Sequence, residues 1–242
     1  MPLLFHSALP RLLHALLPSS CVLCGSLGEE AVCAACTAAH ALDVHARCPC
    51  CANPVGFQDG DRRCGACLAD PPAFDATVAA CDYGAPVDRL VLQLKFAGRL
   101  ALAPWMAGRL RDAVRARGVD LPALLCPVPL GPRRLVERGY NQALELARPL
   151  SAALAIPLAP RLLERQVETA AQSGVAPGER RRNVRGAFAL ADGQPSLQGM
   201  HVGVVDDVMT SGHTLDELAG VLKRAGAARV SNLVFARTPP HQ

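Results

Sequence analysis

The twelve residues Val204–Leu215, VVDDVMTSGHTL, decide how the rest of the chain is read. An apolar run ends in two adjacent carboxylates, Asp206 and Asp207, and passes at once into small hydroxyl and glycine residues. A strand that only fills a core does not set two like charges side by side at its end. A turn that only reverses the chain has no need of Thr210, Ser211, Gly212 and Thr214 in so tight a cluster. With a strand before it and a helix after it, the cluster gathers backbone N–H groups and the positive end of a helix dipole at one spot. That is a phosphate cradle, in which small residues permit close approach and hydroxyls add donors. Asp206 and Asp207 then lie about where the ring of a sugar phosphate would sit. Their oxygens accept from two vicinal hydroxyls, directly or through a metal-bound water. A ribose 5-phosphate fits. The plainer alternative makes Asp207 a helix-flanking acid and Thr214 an N-cap, which explains one side chain at a time.

Outward from this stretch the chain alternates. FDATVAACDY (74–83) reads as a strand and PVDRLVLQLKF (86–96) as a helix with apolar residues at three- and four-residue spacing. LALAPWMAGRLRDAVRARG (100–118) is a second helix stopped at Gly118, and ALLCPVP (123–129) is a short strand ended by its prolines. NQALELARPLSAALA (141–155) is helical, RLLER (161–165) strand-like and HVGVVDDV (201–208) a strand. TLDELAGVLKRAG (214–226) is a helix and ARVSNLVFA (228–236) the last strand. Alternating β and α units with apolar strands predict an α/β domain, a mostly parallel sheet flanked by helices. Such sheets bind ligands beyond the carboxyl ends of their strands, where residues 206–214 fall. Neither a Walker A lysine motif nor a G-x-G-x-x-G fingerprint occurs, which argues against ATPase and dinucleotide readings.

The chain has 242 residues, half of them hydrophobic, enough for one sizeable domain and a small module. A net charge of +4 suits phosphate-bearing ligands but is too weak to announce a nucleic-acid binder, and 4% aromatics argue against a base-stacking platform. MPLLFHSALPRLLHALLPSS (1–20) has no basic residue before Arg11 and is broken by Pro10 and Pro18, so it reads as an amphipathic helix rather than an export signal. No run approaches the ~20 apolar residues of a membrane span, and a cytoplasmic location is expected.

Nine of the eleven cysteines lie between Cys21 and Cys67. Eight of these form four C-x-x-C pairs: Cys21/Cys24, Cys33/Cys36, Cys48/Cys51 and Cys64/Cys67. That spacing lets two thiolates of a tight turn reach one tetrahedral ion, so eight ligands predict two closed structural Zn2+ sites. Disulfides are disfavoured in a reducing compartment. Cys50 is a bystander or a substitute for Cys48. Sequential and cross-braced pairing of the knuckles are both sterically open. The segment is rich in Ala, Gly and Pro, so metal supplies most of its folding free energy. Asp70-Pro71-Pro72 is a plausible hinge, which divides the chain into a zinc module (1–70) and an α/β domain (71–242).

In combination, VVDDVMTSGHTL resembles the phosphoribosyl diphosphate (PRPP) motif of type I phosphoribosyltransferases. The four C-x-x-C pairs, then LKFAGR, CPVPL, RLVERGYNQA, ETAAQ and RRNVRGAF in that order, resemble the ComF family over nearly the whole chain. The resemblance implies a phosphoribosyltransferase-like fold in a protein associated with DNA uptake. It makes Asp206 and Asp207 the acidic pair on the ribose, and Thr210, Ser211, Gly212, His213 and Thr214 the 5-phosphate loop. It places Arg133 and Arg134 where pyrophosphate is held, and Arg138 in the family's RGYNQ signature (138–142). Residues Thr169 to Asn183, with Gln172 and Arg182, resemble the mobile loop that closes over the ligand. Ser211 replaces a commoner Thr, and His213 replaces a small residue and is expected to face solvent. Lys95 lies on the apolar side of its helix and either snorkels or reaches the site; reaching is preferred. Arg180, Arg181, Arg182 and Arg185 either clamp phosphate, track a DNA backbone or form a solvated face. The implied chemistry is displacement of pyrophosphate from PRPP with Mg2+ by an unidentified acceptor. The competing reading is a non-enzymatic uptake factor that binds single-stranded DNA or a competence helicase.

Overall fold

A computed structural model describes residues 19–40, 45–56, 58, 62–167 and 185–239. The amphipathic segment expected at the amino terminus and the expected mobile loop fall largely outside them.

Four strands form a parallel sheet: β3 (Ala76–Asp82), β4 (Leu124–Pro127), β7 (His201–Met209) and β8 (Arg229–Arg237), in the order β3-β8-β7-β4. The two long strands lie at the centre, where most of their residues are buried, the polar Ser231, Asn232 and Arg237 of β8 included. Side chains alternate across them. Val204, Val230 and Val234 point to one face, and Val205, Leu233 and Phe235 to the other.

The second face is covered by α3 (Val87–Phe96), α4 (Leu102–Arg117) and α6 (Gln142–Leu154). Leu90, Leu94, Met106, Leu110, Leu146 and Leu150 are fully buried there, at the spacings read from the sequence. The first face is covered by α7 (His213–Arg224), through Leu215, Leu218, Ala219 and Leu222. RLLER contributes β5 (Leu163–Arg165), which leaves the main sheet and pairs antiparallel with β6 (Phe188–Leu190). One helix of the α/β domain is not expected from the sequence: α5 (Pro132–Arg138), between Gly131 and Gly139, with no buried residue.

The cysteine-rich segment is spare: β1 (Ser19–Ser20) pairs with β2 (Leu27–Gly28), and α1 (Ala34–His40) and α2 (Gly65–Ala69) are short. It straddles the β3 edge of the sheet. Cys21 and Val32 join the core under α3 and α4, where the Trp105 indole N–H also donates to Thr37 Oγ1 at 3.2 Å. Cys48, Cys50, Cys51, Ala52 and Cys67 join the core on the α7 face. The Thr77 N–H on the free edge of β3 donates to Pro49 O at 3.1 Å, so the segment also shields a strand edge. The module therefore leans on the sheet as well as on metal. Among the described residues no helix is long and apolar enough to cross a membrane.

Candidate functional site

The four C-x-x-C knuckles gather sequentially. The thiols of Cys21, Cys24, Cys33 and Cys36 lie within 4.8 Å of one another, and so do those of Cys48, Cys51, Cys64 and Cys67. The two groups repeat in detail. The Cys33 N–H points at Cys21 Sγ (3.4 Å) as the Cys64 N–H points at Cys48 Sγ (3.3 Å). Burial by itself would raise the pKa of both acceptor thiols. The surrounding backbone N–H groups outweigh it and lower Cys21 to about 6 and Cys48 to about 7. Four converging thiols with no open position fit a structural zinc ion in each group. Cys50 stands outside both groups, with its thiol towards Phe74 O.

The carboxyl ends of β4 and β7 open into a cavity of about 830 Å3, bordered by α3, α5 and the start of α7. Asp207 is 2% exposed and lies inside β7, so it is not a helix-flanking acid. Lys95, from the last turn of α3, places its ammonium 2.5 Å from Asp207 Oδ2, which settles its direction: it reaches the site. Gln142, the first residue of α6, donates from Nε2 to Asp207 Oδ1 at 3.2 Å. Burial would raise the Asp207 pKa, yet the Lys95 ammonium and these hydrogen bonds hold it below the usual carboxylate value. Asp206 goes the other way. Burial first, then the neighbouring Asp207 charge, pushes its carboxyl well above that value. The two adjacent acids thus differ in kind: the Lys95 ammonium favours the charged form of Asp207, whereas burial and the Asp207 charge disfavour that of Asp206.

Above them the small-residue loop turns into α7. Gly212 holds the N-cap position with φ +84°, and no side chain caps the helix, so Thr214 is not the cap. A Cβ on Gly212 would meet Met209 Cε at 2.7 Å, in a conformation that L residues avoid. We expect Gly212→Ala to cost about 1–3 kcal/mol from backbone strain alone. Thermal unfolding of the variant checks this; an unchanged midpoint would mean that the loop adapts freely.

The residues 138–142 buttress the acid pair. Asn141 Oδ1 caps α6 by accepting from the Ala143 N–H at 2.9 Å, and its Nδ2 donates to Val128 O at 2.9 Å. Gly139 ends α5 in the left-handed region at φ +80°, which turns the chain into that cap. The Tyr140 hydroxyl donates to Leu94 O, beside Lys95. The Arg138 guanidinium donates to Gln142 Oε1, fixing the amide so that its N–H group faces Asp207, and lies 5.3 Å over the Phe96 ring.

A model of the double zinc ribbon domain matches residues 12–68, and one of the phosphoribosyl transferase domain matches residues 140–241. The DNA utilization protein YhgH of Escherichia coli O157:H7 is 36% identical over 91% of this chain and 98% of that protein. Competence protein F of Haemophilus influenzae is 34% identical over 73% of this chain and 79% of that one. The chain belongs to the ComF family. Its fold is phosphoribosyltransferase-like, with an amino-terminal zinc ribbon module. Among solved structures it is similar to the hypoxanthine phosphoribosyl transferase of Trypanosoma cruzi, with 18% identity and a TM-score of 0.31 over 55% of this chain and 60% of that one.

The site residues expected from the ComF family fall into three groups. Lys95, Arg134, Arg138, Asp206, Asp207, Thr210, Gly212, His213 and Thr214 line the one cavity. His213 does not simply face solvent: it is half-buried there, with Nδ1 3.2 Å from Ser211 Oγ. Arg133 points away, largely exposed and 2.8 Å from Glu137 Oε1 one helical turn on, and Ser211 is exposed beside the cavity. Thr169, Gln172, Arg180, Arg181, Arg182 and Asn183 lie outside the described residues, and Arg185 is exposed. Sequence reasoning missed Gln142 as a partner of Asp207, although RGYNQ in this ComF family chain already marked its place. It also missed Arg165, which lines the cavity from β5.

Proposed function

We propose that this protein binds PRPP with Mg2+ and transfers its phosphoribosyl group to an acceptor not yet identified, in a DNA-uptake role, a reading supported by relatives named for DNA utilization and competence. The observation that carries the reading is the meeting, in one cavity, of the Lys95–Asp207–Gln142 cluster, Asp206 and the small-residue turn at the start of α7. The turn holds the 5-phosphate on backbone N–H groups and the helix dipole. Asp207 is occupied by Lys95 and Gln142, so Asp206 takes the ribose hydroxyls. Arg134 and Arg138 border the same cavity and supply the guanidinium charge that pyrophosphate needs as it leaves. Breaking the anomeric bond gives the sugar oxocarbenium character, as in glycoside cleavage, and no covalent nucleophile is required. The carboxylates and the phosphate oxygens of the ligand are the hard donors that Mg2+ takes. When bound, Mg2+ neutralises charge that builds on the leaving pyrophosphate. Eight thiols held as zinc ligands suit the reducing cytoplasm.

Calorimetric titration with PRPP and Mg2+ tests this. Micromolar binding is expected, with a loss of at least about a hundredfold (~2.7 kcal/mol) in Asp206→Asn/Asp207→Asn. No heat at millimolar PRPP would end the reading. Strong, steeply salt-dependent affinity for single-stranded DNA in its place would favour a non-enzymatic uptake factor. Acceptors are then found by screening with radiolabelled PRPP.

A further inference from the structure

Arg237 closes β8 in the middle of the sheet, its backbone in register with Met209 on β7 and with Asp82 on β3. A long cation there should run out to solvent, yet it is 5% exposed. Its Nε–H donates to Cys51 O at 2.9 Å. Its Nη1 donates to Met209 O at 3.1 Å, to Thr210 O and to Thr238 O. Cys51 is a ligand of the second four-cysteine group. Met209 and Thr210 open the small-residue turn, and Met209 Cε is the atom a Cβ on Gly212 would strike. One planar guanidinium therefore joins a metal knuckle to the phosphate turn. The knuckle is pinned from its other side by Arg47, fully buried, which donates to Ala52 O (3.0 Å) and to Asp82 Oδ1 (2.8 Å). Among the described residues the first four-cysteine group shows no such route: its contacts run through Trp105 and the α4 side of the sheet.

We propose that Arg237 is a positioning residue that couples the second zinc site to the turn holding the 5-phosphate, so that metal at this site sets the affinity for PRPP and metal at the first does not. This rests on the reading of that turn as a phosphate site. Only arginine suits the place: its fork sends donors in fixed, coplanar directions to carbonyls on two segments, whereas a lysine ammonium has a single centre. The coupling is reciprocal by thermodynamic necessity. If the loaded knuckle orders the turn, a ligand on the turn must tighten the hold on metal at the knuckle by the same factor, and slower release of that metal is the expected sign.

The test uses full-length, zinc-loaded protein under reducing conditions, with Arg237→Met and Cys24→Ser. Zinc release to a chromogenic chelator should be biphasic in wild type, and Mg2+ with PRPP should slow the second-site phase at least about tenfold (~1.4 kcal/mol). In Arg237→Met that protection should vanish and PRPP should bind at least tenfold more weakly. In Cys24→Ser one phase disappears, and the protection of the other persists. Amide exchange over residues 209–216, read without ligand, should be faster in Arg237→Met while α4 is unchanged. Arg237→Lys should give the same changes at smaller amplitude, which keeps the test standing if the methionine variant does not fold. Equal protection by PRPP in wild type and in the Arg237 variants, or a uniform rise in exchange across the protein, would overturn the proposal. A wild type that binds no PRPP sinks the functional reading instead, and the exchange comparison still judges whether Arg237 orders the turn.

Discussion

Lys95→Met should destabilise the protein by about 3–5 kcal/mol at pH 7, the cost of leaving one member of a buried ion pair without its partner. Asp207 is 2% exposed, and the Lys95 side chain 23%. The ammonium is what keeps the Asp207 carboxyl below its ordinary value against burial. In wild type the folded pKa of Asp207 lies under its unfolded value of about 3.9, so its contribution is present above that value and is lost as pH falls through the folded one. Without Lys95, burial governs and the folded pKa moves above the unfolded one. The variant is then penalised at neutral pH, and the penalty shrinks as acid lets Asp207 take up a proton. Urea unfolding of both proteins at pH 7 and pH 5 should show this narrowing. Lys95→Met/Asp207→Asn removes both charges and should recover at least about half of the loss, since no ion is left stranded. A single-variant loss under about 1 kcal/mol at pH 7 would place the pair among ordinary surface ion pairs and remove it from the site's framework.

Much of this site is legible in the sequence because its signals are local. Four C-x-x-C pairs announce metal through the spacing of neighbouring residues, and VVDDVMTSGHTL carries its strand, acids, turn and helix start within twelve positions. What stays hidden depends on pairings across the chain. Gln142 and Asp207 are 65 residues apart. Nothing in the local pattern says that a glutamine after Asn141 will turn inward. The helix α5 buries no side chain, so it has no apolar period; only Gly131-Pro132 at its start and Gly139 at its end betray it. Arg237 follows an apolar strand, where a cation reads as an exit to solvent. Its partners, Cys51, Met209 and Thr210, come from two other segments. The small alanine- and cysteine-rich ribbons looked self-contained for the same reason. The surfaces they pack against, under α4 and beside α7, are supplied by distant sequence.

That packing makes the two zinc sites unequal, and Cys48→Ser and Cys24→Ser should expose the difference. Each variant is expected to carry one zinc ion per chain by metal analysis. Cys48 is fully buried, and Cys51 and Cys67 are 7% and 5% exposed within the core that also holds Val204, Val234 and Leu218. Cys24 is exposed, and Cys33 and Cys36 are only half-buried. A structural zinc site supplies on the order of 10–16 kcal/mol to the folding of an isolated finger. Losing even about a third to a half of the lower figure, near 3–5 kcal/mol, lowers the unfolding midpoint of a chain this size by roughly 6–20 °C, at about 2–4 °C per kcal/mol. Cys48→Ser should fall in that range in a single cooperative transition. The knuckle it opens covers the β3 edge at Pro49 and holds Arg237 through Cys51, so its loss reaches the centre of the sheet. Cys24→Ser should leave the main transition within about 5 °C of wild type and add a small early one, because only the outer ribbon lets go. Calorimetric scans under reducing conditions decide between these outcomes. Equal shifts for the two variants would mean that the second ribbon is a passenger on the sheet and not part of its core.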